Sequence, residues 1–405
     1  MKKTILTLSI LLAFALVFTV TPINAETITF WHMFTEDDPG TEWVVDQYHA
    51  EQDEVEVDVR YVHFSEIDNQ LMRALTTGDV PDVVITGSDV FAQWSSMGAF
   101  ADITDRIEEW GYADYYYEGP MNSVMWEGRY YGLPQNVNAL AMFMNVELFE
   151  EAGLDPDSPP KTWDEVKEYA HQLDGVRDNV SPIGFSATAD ETATFQFLPF
   201  LWQAGADIES FDSPEGHEAL SYWKYFVDEG LAFPEVLSTP QWELMVSFAA
   251  GNMGMVVNGP WGLVPLEDAE FEYKAFMMPV HEDVGVPYSV LGGENIAILD
   301  GSDKQDAAWD FVKFTQREDI IEEWTGMSAR IPGRMDVAQS SPYWTENEVL
   351  KLFTEQLEYA QPRGPLPNWA EVSSPIQRMI QEVLTGTDVE EAAREGQNRI
   401  NSVME

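Results

Sequence analysis

The chain contains no cysteine, six histidines and 21 lysines and arginines, set against 71 aspartates and glutamates in 405 residues. Each shortage removes a class of protein. With no thiol there is no disulfide framework, and the histidines show no metal-ligand spacing, so a metal-capturing receptor lacks its ligands. Scarce basic residues exclude a nucleic-acid binder, whose affinity comes from lysine and arginine neutralising phosphates. No Gly-x-Ser-x-Gly turn exists to present a nucleophilic serine. Beyond residue 25 no apolar run approaches the length of a bilayer span. There is no internal repeat and no low-complexity segment.

Residues 1–25 read as a secretory signal peptide: Lys2 and Lys3, an apolar core from Ile5 to Val20, then Ile23-Asn24-Ala25 with a small residue at the cleavage point. The apolar run is short for a membrane anchor, and Pro22 follows it. The mature chain, cut near Ala25, is therefore expected in the periplasm. Without a cysteine after the signal it is not expected to be a lipoprotein. The mature chain of roughly 380 residues exceeds what one core supports, so two domains are expected. The formal charge is −50 for the whole chain and −52 once the two signal lysines are removed. Repulsion on that scale destabilises a compact state in dilute salt, whereas at about 1 M salt the screening length falls to ~3 Å. Adaptation to a saline, halophilic setting is the expectation. The acids are scattered, as in Glu51, Asp53, Glu54, Glu56 and Asp58, and read as solvated faces.

Thr27–Trp31 reads as a short apolar strand, and Thr41–Glu51 as a helix with Trp43, Val44 and Tyr48 on one side. Val55–Val62 alternates as a strand, Glu66–Thr77 is a helix closed by Gly78, and Asp82–Thr86 is a buried-type strand introduced by Pro81. This β-α-β-α-β order predicts a parallel sheet with right-handed crossovers, on which ligands bind beyond the carboxyl ends of the strands. The rule points to the loop after Trp31, with His32, Thr35 and Glu36, and to the loop after Thr86, with Ser88 and Asp89. Ser88 and Asp89 serve equally well as helix N-caps. Further helices are expected around Trp163–Leu173, Thr194–Ala204 and Glu215–Glu229.

From Tyr131 to Glu165 an apolar strand (Leu140–Met144) feeds a short helix that stops at Gly153; a proline-bounded loop follows, and Thr162 caps a new helix with Glu165 three residues on. Four more landmarks come later. A helix ends at Gly251, a strand spans Met253–Val257, and Asn258-Gly259-Pro260-Trp261 turns after it. Gly292-Gly293-Glu294-Asn295 is next, then Ala307–Phe314, Trp324 and Arg330-Ile331-Pro332-Gly333-Arg334, and finally Gly386-Thr387 with Glu390-Glu391-Ala392. In this order the five landmarks resemble the extracellular solute-binding proteins of family 1, the substrate-capturing subunits of ATP-driven importers, most of which bind sugars. The resemblance implies an α/β, two-lobed periplasmic-binding-protein fold of type II, each lobe a mixed, mostly parallel sheet flanked by helices. Lobe 1 would comprise 26–137 and 288–327, and lobe 2 138–287 and 328–405. Three interlobe crossings are expected, near Asn136–Ala141, Val284–Ser289 and Thr325–Ile331, with the ligand in the cleft and a hinge closure over it. The resemblance also implies a non-enzyme that needs no cofactor, a monomer that holds a carbohydrate and hands it to the membrane permease of an ABC-type importer.

A sugar presents C–H faces that suit aromatic planes and hydroxyls that suit fixed carboxylates or amides. The chain has 14 Trp, 15 Tyr and 22 Phe, most of which must fill cores. By resemblance, Trp261 matches a sugar-stacking tryptophan of maltodextrin-binding relatives, and Asp89 aligns with a sugar-binding aspartate of theirs. Asn138 stands where they carry a glutamate. Thr86 stands where they carry a tryptophan, a departure that argues against maltodextrin itself. Phe195, Trp202, Trp242 and Trp369 are further aromatic candidates. Gly293, beside Gly292, lets backbone approach a ligand next to Glu294. Arg330 and Arg363 are either structural ion pairs or the cations of an alternative receptor, one for an anionic polyol such as a glycerol phosphate ester. An exported glycoside hydrolase is the alternative of another class: 71 acids guarantee chance pairs, although the motif order has no place for a catalytic dyad.

Overall fold

A computed structural model describes residues 25–364 and 366–404; the expected signal peptide lies outside the described residues apart from Ala25. The first strand, Glu26–His32, pairs in parallel with Val55–Tyr61 on one side and Val83–Gly87 on the other. Each partner arrives through a helix. Pro39–Glu51 is capped by Asp38, whose carboxylate accepts from the Thr41 amide, and Ile67–Thr77 is closed by Gly78 at φ 76°, a left-handed conformation that glycine adopts at least cost. Beyond Val83–Gly87 the sheet continues antiparallel with Glu294–Ile298 and then Gly132–Pro134. In the second sheet Ala141–Asn145 lies antiparallel between Tyr273–Phe276 and Met253–Asn258, and Ser181–Gly184 adds a parallel edge.

Both sheets are thus mixed rather than mostly parallel, and the crossings explain why. Glu294–Ile298 enters the first sheet from the end where the parallel strands finish, Glu294 lying opposite Gly87, so it can only run against them. Ala141–Asn145 likewise enters the second sheet directly from a crossing.

Side-chain alternation along Ala141–Asn145 covers both faces of the second sheet. Met142 and Met144 join a core built on Trp163, Trp223 and Trp369, whereas Ala141 and Phe143 join one built on Phe248, Trp344 and Phe353. A third core, around Phe30, Trp94 and Trp324, belongs to the first sheet. The helix Trp163–Leu173 shows how local sequence specifies such packing. Thr162 Oγ1 accepts from the Glu165 amide at 3.3 Å, the Glu165 carboxylate accepts from the Thr162 amide at 3.2 Å, and Trp163, Val166, Ala170 and Leu173 turn one buried stripe inward. No helix among the described residues is long and apolar enough to cross a membrane.

The chain passes between the sheets three times, and the passages touch. Asn136–Val137 pairs antiparallel with Ile331–Pro332, and Asn138 bridges to Gly292. The second passage falls at Gly292–Gly293, later than Val284–Ser289, because Ser289–Leu291 still pairs with Ala360–Pro362 beside the second lobe. First-sheet material therefore resumes at Glu294 rather than at residue 288. The third passage follows helix Glu318–Met327, whose Trp324 packs in the first-sheet core. At this junction a Cβ on Gly333 would lie 2.3 Å from the Pro134 carbonyl oxygen, and backbone cannot yield as a flexible side chain would. Gly333→Ala is expected to lower stability by about 1–3 kcal/mol in urea denaturation at molar salt; an unchanged midpoint would show that the junction has slack.

Candidate functional site

Where the three passages meet, a cavity of about 390 Å³ lies between the two sheets. Part of its wall is bare backbone. A Cβ on Gly292 would sit 2.2 Å from Asn138 Oδ1, and one on Gly293, at φ 135°, would sit 2.3 Å from the Asn136 carbonyl. The same two glycines let the passages cross closely and expose main chain to the cavity.

The first sheet supplies its wall from the carboxyl ends of three parallel strands: Thr35 and Glu36 after the first, Tyr61 and Phe64 at the second, Asp89 after the third. The second lobe supplies Phe195 from helix Glu191–Gln203, Trp242 from helix Gln241–Ala249, and Trp261. The Trp261 turn is built from its own sequence. Asn258 is fully buried; its Nδ2 donates to the Gln241 carbonyl at 2.8 Å and its Oδ1 accepts from the Gly259 amide at 2.9 Å. The indole then lies across Gly259, where a Cβ would be 2.1 Å from the ring. This ties the Trp261 turn to the start of the helix that carries Trp242.

Two arginines reach the cavity, and both are engaged. Arg363 meets Glu191 at 2.6 Å and Asp89 at 3.4 Å, with its guanidinium 4.8 Å from the centroid of the Phe195 ring. Arg330 meets Asp38 at 3.1 Å and stacks 3.8 Å from the Phe34 centroid. Burial works against the Asp38 carboxylate, yet Arg330 together with the Thr41 and Ser328 donors holds its pKa below the usual range. Glu191 also accepts from Trp369 Nε1 at 3.0 Å and Ser373 Oγ at 2.5 Å. Burial pushes its pKa up to about 7, with Arg363 pulling the other way and Asp89 adding to the rise. Burial raises Glu294 as well. Asn138 Oδ1 and Glu294 Oε2 have no hydrogen-bond partner among the described residues. Buried polar atoms normally find one, so these two stand ready for a donor.

Of the residues expected from sequence, Thr35, Glu36, Asp89, Asn138, Phe195, Trp242, Trp261, Gly293, Glu294, Arg330 and Arg363 line the cavity. Four do not. His32 is 3% exposed behind the wall, its ring about 6 Å from those of Phe30, Phe34 and Tyr61, and burial lowers its pKa to about 4. Trp202 packs against the second-lobe core. Trp369 is fully buried and reaches the site only through its hydrogen bond to Glu191. Ser88 faces a smaller neighbouring chamber. Asp89 pairs with Arg363 rather than capping a helix: the helix Phe91–Ser96 that follows has no side-chain cap.

Sequence reasoning missed Tyr61, Phe64 and Glu191. The first two were within reach of the carboxyl-end rule, because the second strand ends in register with the first, Tyr61 opposite His32. Glu191 carries no local signal; beside Asp190 it reads as the ordinary acidic first turn of a helix.

The model of the bacterial extracellular solute-binding protein family matches residues 43–351, which include the second sheet and all three passages but not the first strand, Glu26–His32. The chain belongs to that family. A member of an extracellular family is exported, and the relatives it matches are binding proteins. It is 26% identical over 344 residues to the maltotriose-binding protein of Pyrococcus abyssi, covering 81% of this chain and 71% of that one. It is 22% identical to the sn-glycerol-3-phosphate-binding periplasmic protein of Salmonella typhimurium, covering 93% and 91%. Among solved structures, an ABC transporter solute-binding protein of Thermotoga lettingae bound with α-D-tagatose superposes with a TM-score of 0.88 at 25% identity, covering 94% of this chain and all of that one.

The raised pKa of Glu191 has a definite sign. Its contribution to the stability of this binding protein is complete below the ordinary glutamate pKa of 4.5 and is lost as pH rises through about 7. In molar salt, the melting temperature of the ligand-free protein is expected to fall between pH 6 and 8.5, and Glu191→Gln to flatten that slope. A slope identical in both proteins would place the titration elsewhere.

Proposed function

We propose that this chain is the carbohydrate-capturing receptor of an ABC-type importer, taking a sugar or oligosaccharide in the interlobe cavity and delivering it unchanged to a membrane permease. The observation that carries this reading is the pairing of two kinds of wall. Trp242, Trp261 and Phe195 offer aromatic surface, while Asn138 Oδ1 and Glu294 Oε2 offer buried acceptors with no partner among the described residues. Hydroxyls are donors that match those acceptors, and sugar C–H faces match the rings. Closure follows because a ligand touching both lobes stabilises only the state in which they meet. Residues 1–25 then act as the export signal, the periplasm is the site of action, and the acidic surface suits saline surroundings.

An anionic polyol is the second reading, favoured by the presence of Arg330 and Arg363 at the cavity and by the glycerol-phosphate-binding relative. Against it, each arginine already has a carboxylate partner, and Glu36, Asp89, Glu191, Glu243 and Glu294 share the same wall. A phosphate would enter against five acids. A hydrolase is disfavoured because Arg363 is the shared partner of Glu191 and Asp89, which ties the two acids to a protein cation instead of facing them across a scissile bond.

A thermal-shift screen in molar salt, with neutral mono- and oligosaccharides beside glycerol 3-phosphate, tests the reading. At least one neutral saccharide is expected to raise the melting temperature and to be recovered intact. Stabilisation by glycerol 3-phosphate alone, or turnover of a glycoside, would overturn it. Trp261→Ala is expected to weaken the best saccharide by roughly tenfold, about one stacking contact, with the melting point of the empty protein nearly unchanged; an unaltered Kd would remove Trp261 from the site.

A further inference from the structure

A second chamber of about 190 Å³ lies next to the main cavity. The two share four wall residues, Asp89, Arg363, Gly292 and Gly293. The partition is therefore one ion pair at 3.4 Å and two residues with no side chain. The two rooms differ in chemistry. The main cavity is ringed by aromatic side chains; the second has none among its described lining residues, which mix apolar Pro120, Val137 and Leu291 with polar Ser88, Asn122 and Asn136. Asn136 is 1% exposed, and its Oδ1 has no hydrogen-bond partner among the described residues. A buried amide oxygen left bare beside this small chamber points to a donor that arrives from outside.

We propose that the second chamber is a subsite for the terminal unit of an oligosaccharide too long for the main cavity, held by hydrogen bonds without stacking. This rests on the carbohydrate reading above. The chamber has about half the volume of the main cavity, so a ligand filling both is about half as long again as one filling the first alone. Its path runs through the Asp89–Arg363 contact. Asp89 follows a strand of the first sheet and Arg363 follows the Ala360–Pro362 strand of the second lobe, so the pair can part with the lobes. Arg363 keeps its shorter contact to Glu191 at 2.6 Å and so retains a hydrogen-bonding partner. Asp89 and the freed guanidinium edge then take hydroxyls of the passing unit, exchanging one charge-assisted contact for others.

The test uses Asn122, which is exposed on the short helix Glu118–Ser123 and lines only the second chamber. Titration calorimetry in molar salt compares the mature protein with Asn122→Trp against graded glucose and arabinose oligosaccharides of two to five units. The shortest binders are expected to keep their Kd, and those a unit longer than the main cavity holds are expected to lose at least tenfold. Equal loss at every length, or no loss at any, overturns the subsite. If no oligosaccharide binds even the unaltered protein, the carbohydrate reading itself fails, a separate result. Should Asn122→Trp not fold, a crystal structure of the unaltered protein with its longest bound oligosaccharide decides. A sugar hydroxyl on Asn136 Oδ1 is expected, and a chamber empty of sugar overturns the proposal.

Discussion

One buried guanidinium sits where the two lobes meet. Arg363 is 6% exposed at its side chain, between Glu191 of its own lobe and Asp89 of the other. Taking a charge out of water costs several kcal/mol unless well-placed partners repay it. Here a cation repays two acids and is repaid by both, with the Phe195 ring against its face. The arrangement matters more in this chain than in an average one. With a formal charge of −50, two further acids facing each other across the cleft would add repulsion where the lobes must approach. Arg363 turns that repulsion into a cross-lobe attachment.

Around that pair the backbone does the shaping. Three passages of chain lie against one another, and they can do so because Gly292, Gly293 and Gly333 have no side chain where a carbonyl passes within 2.2–2.3 Å of the position a Cβ would take, or where Asn138 does. The close crossing also sets the direction of the strands that leave it, and so produces mixed sheets. The cavity lies at the carboxyl ends of the parallel strands and beside the crossings, so aromatic side chains and bare main chain face the same space.

The polar balance of the wall suits a neutral ligand rich in donors. Both arginines are already paired, while Asn138 Oδ1 and Glu294 Oε2 are acceptors with no hydrogen-bond partner among the described residues. Such a wall rewards hydroxyl groups, and it would repel a fixed negative charge through its surplus of carboxylates.

What the sequence by itself determined is what depends on neighbours along the chain. The Thr162–Glu165 capping box, the Gly78 stop, the first three strands and the Asn258-Gly259-Pro260-Trp261 turn are all written within a few residues of where they act, and each was legible. Of the cavity's aromatic residues, Phe195, Trp242 and Trp261 were expected, whereas Tyr61 and Phe64 were missed and the expected Trp202 and Trp369 lie elsewhere. Only the tertiary structure decided the rest. Glu191 and Arg363 are 172 positions apart, and neither carries a local mark of its partner. His32 and Trp369, polar-tipped rings beside the site in sequence terms, were sent behind the wall by the packing of Phe34 and Tyr61 in one case and by complete burial beneath Glu191 in the other. The second passage moved to Gly292–Gly293 because a strand pair with Ala360–Pro362 holds the preceding residues. Caps and periodicity are short-range and can be read from one segment; charge pairing, burial and strand partners belong to pairs of segments, and only the folded chain brings those pairs together.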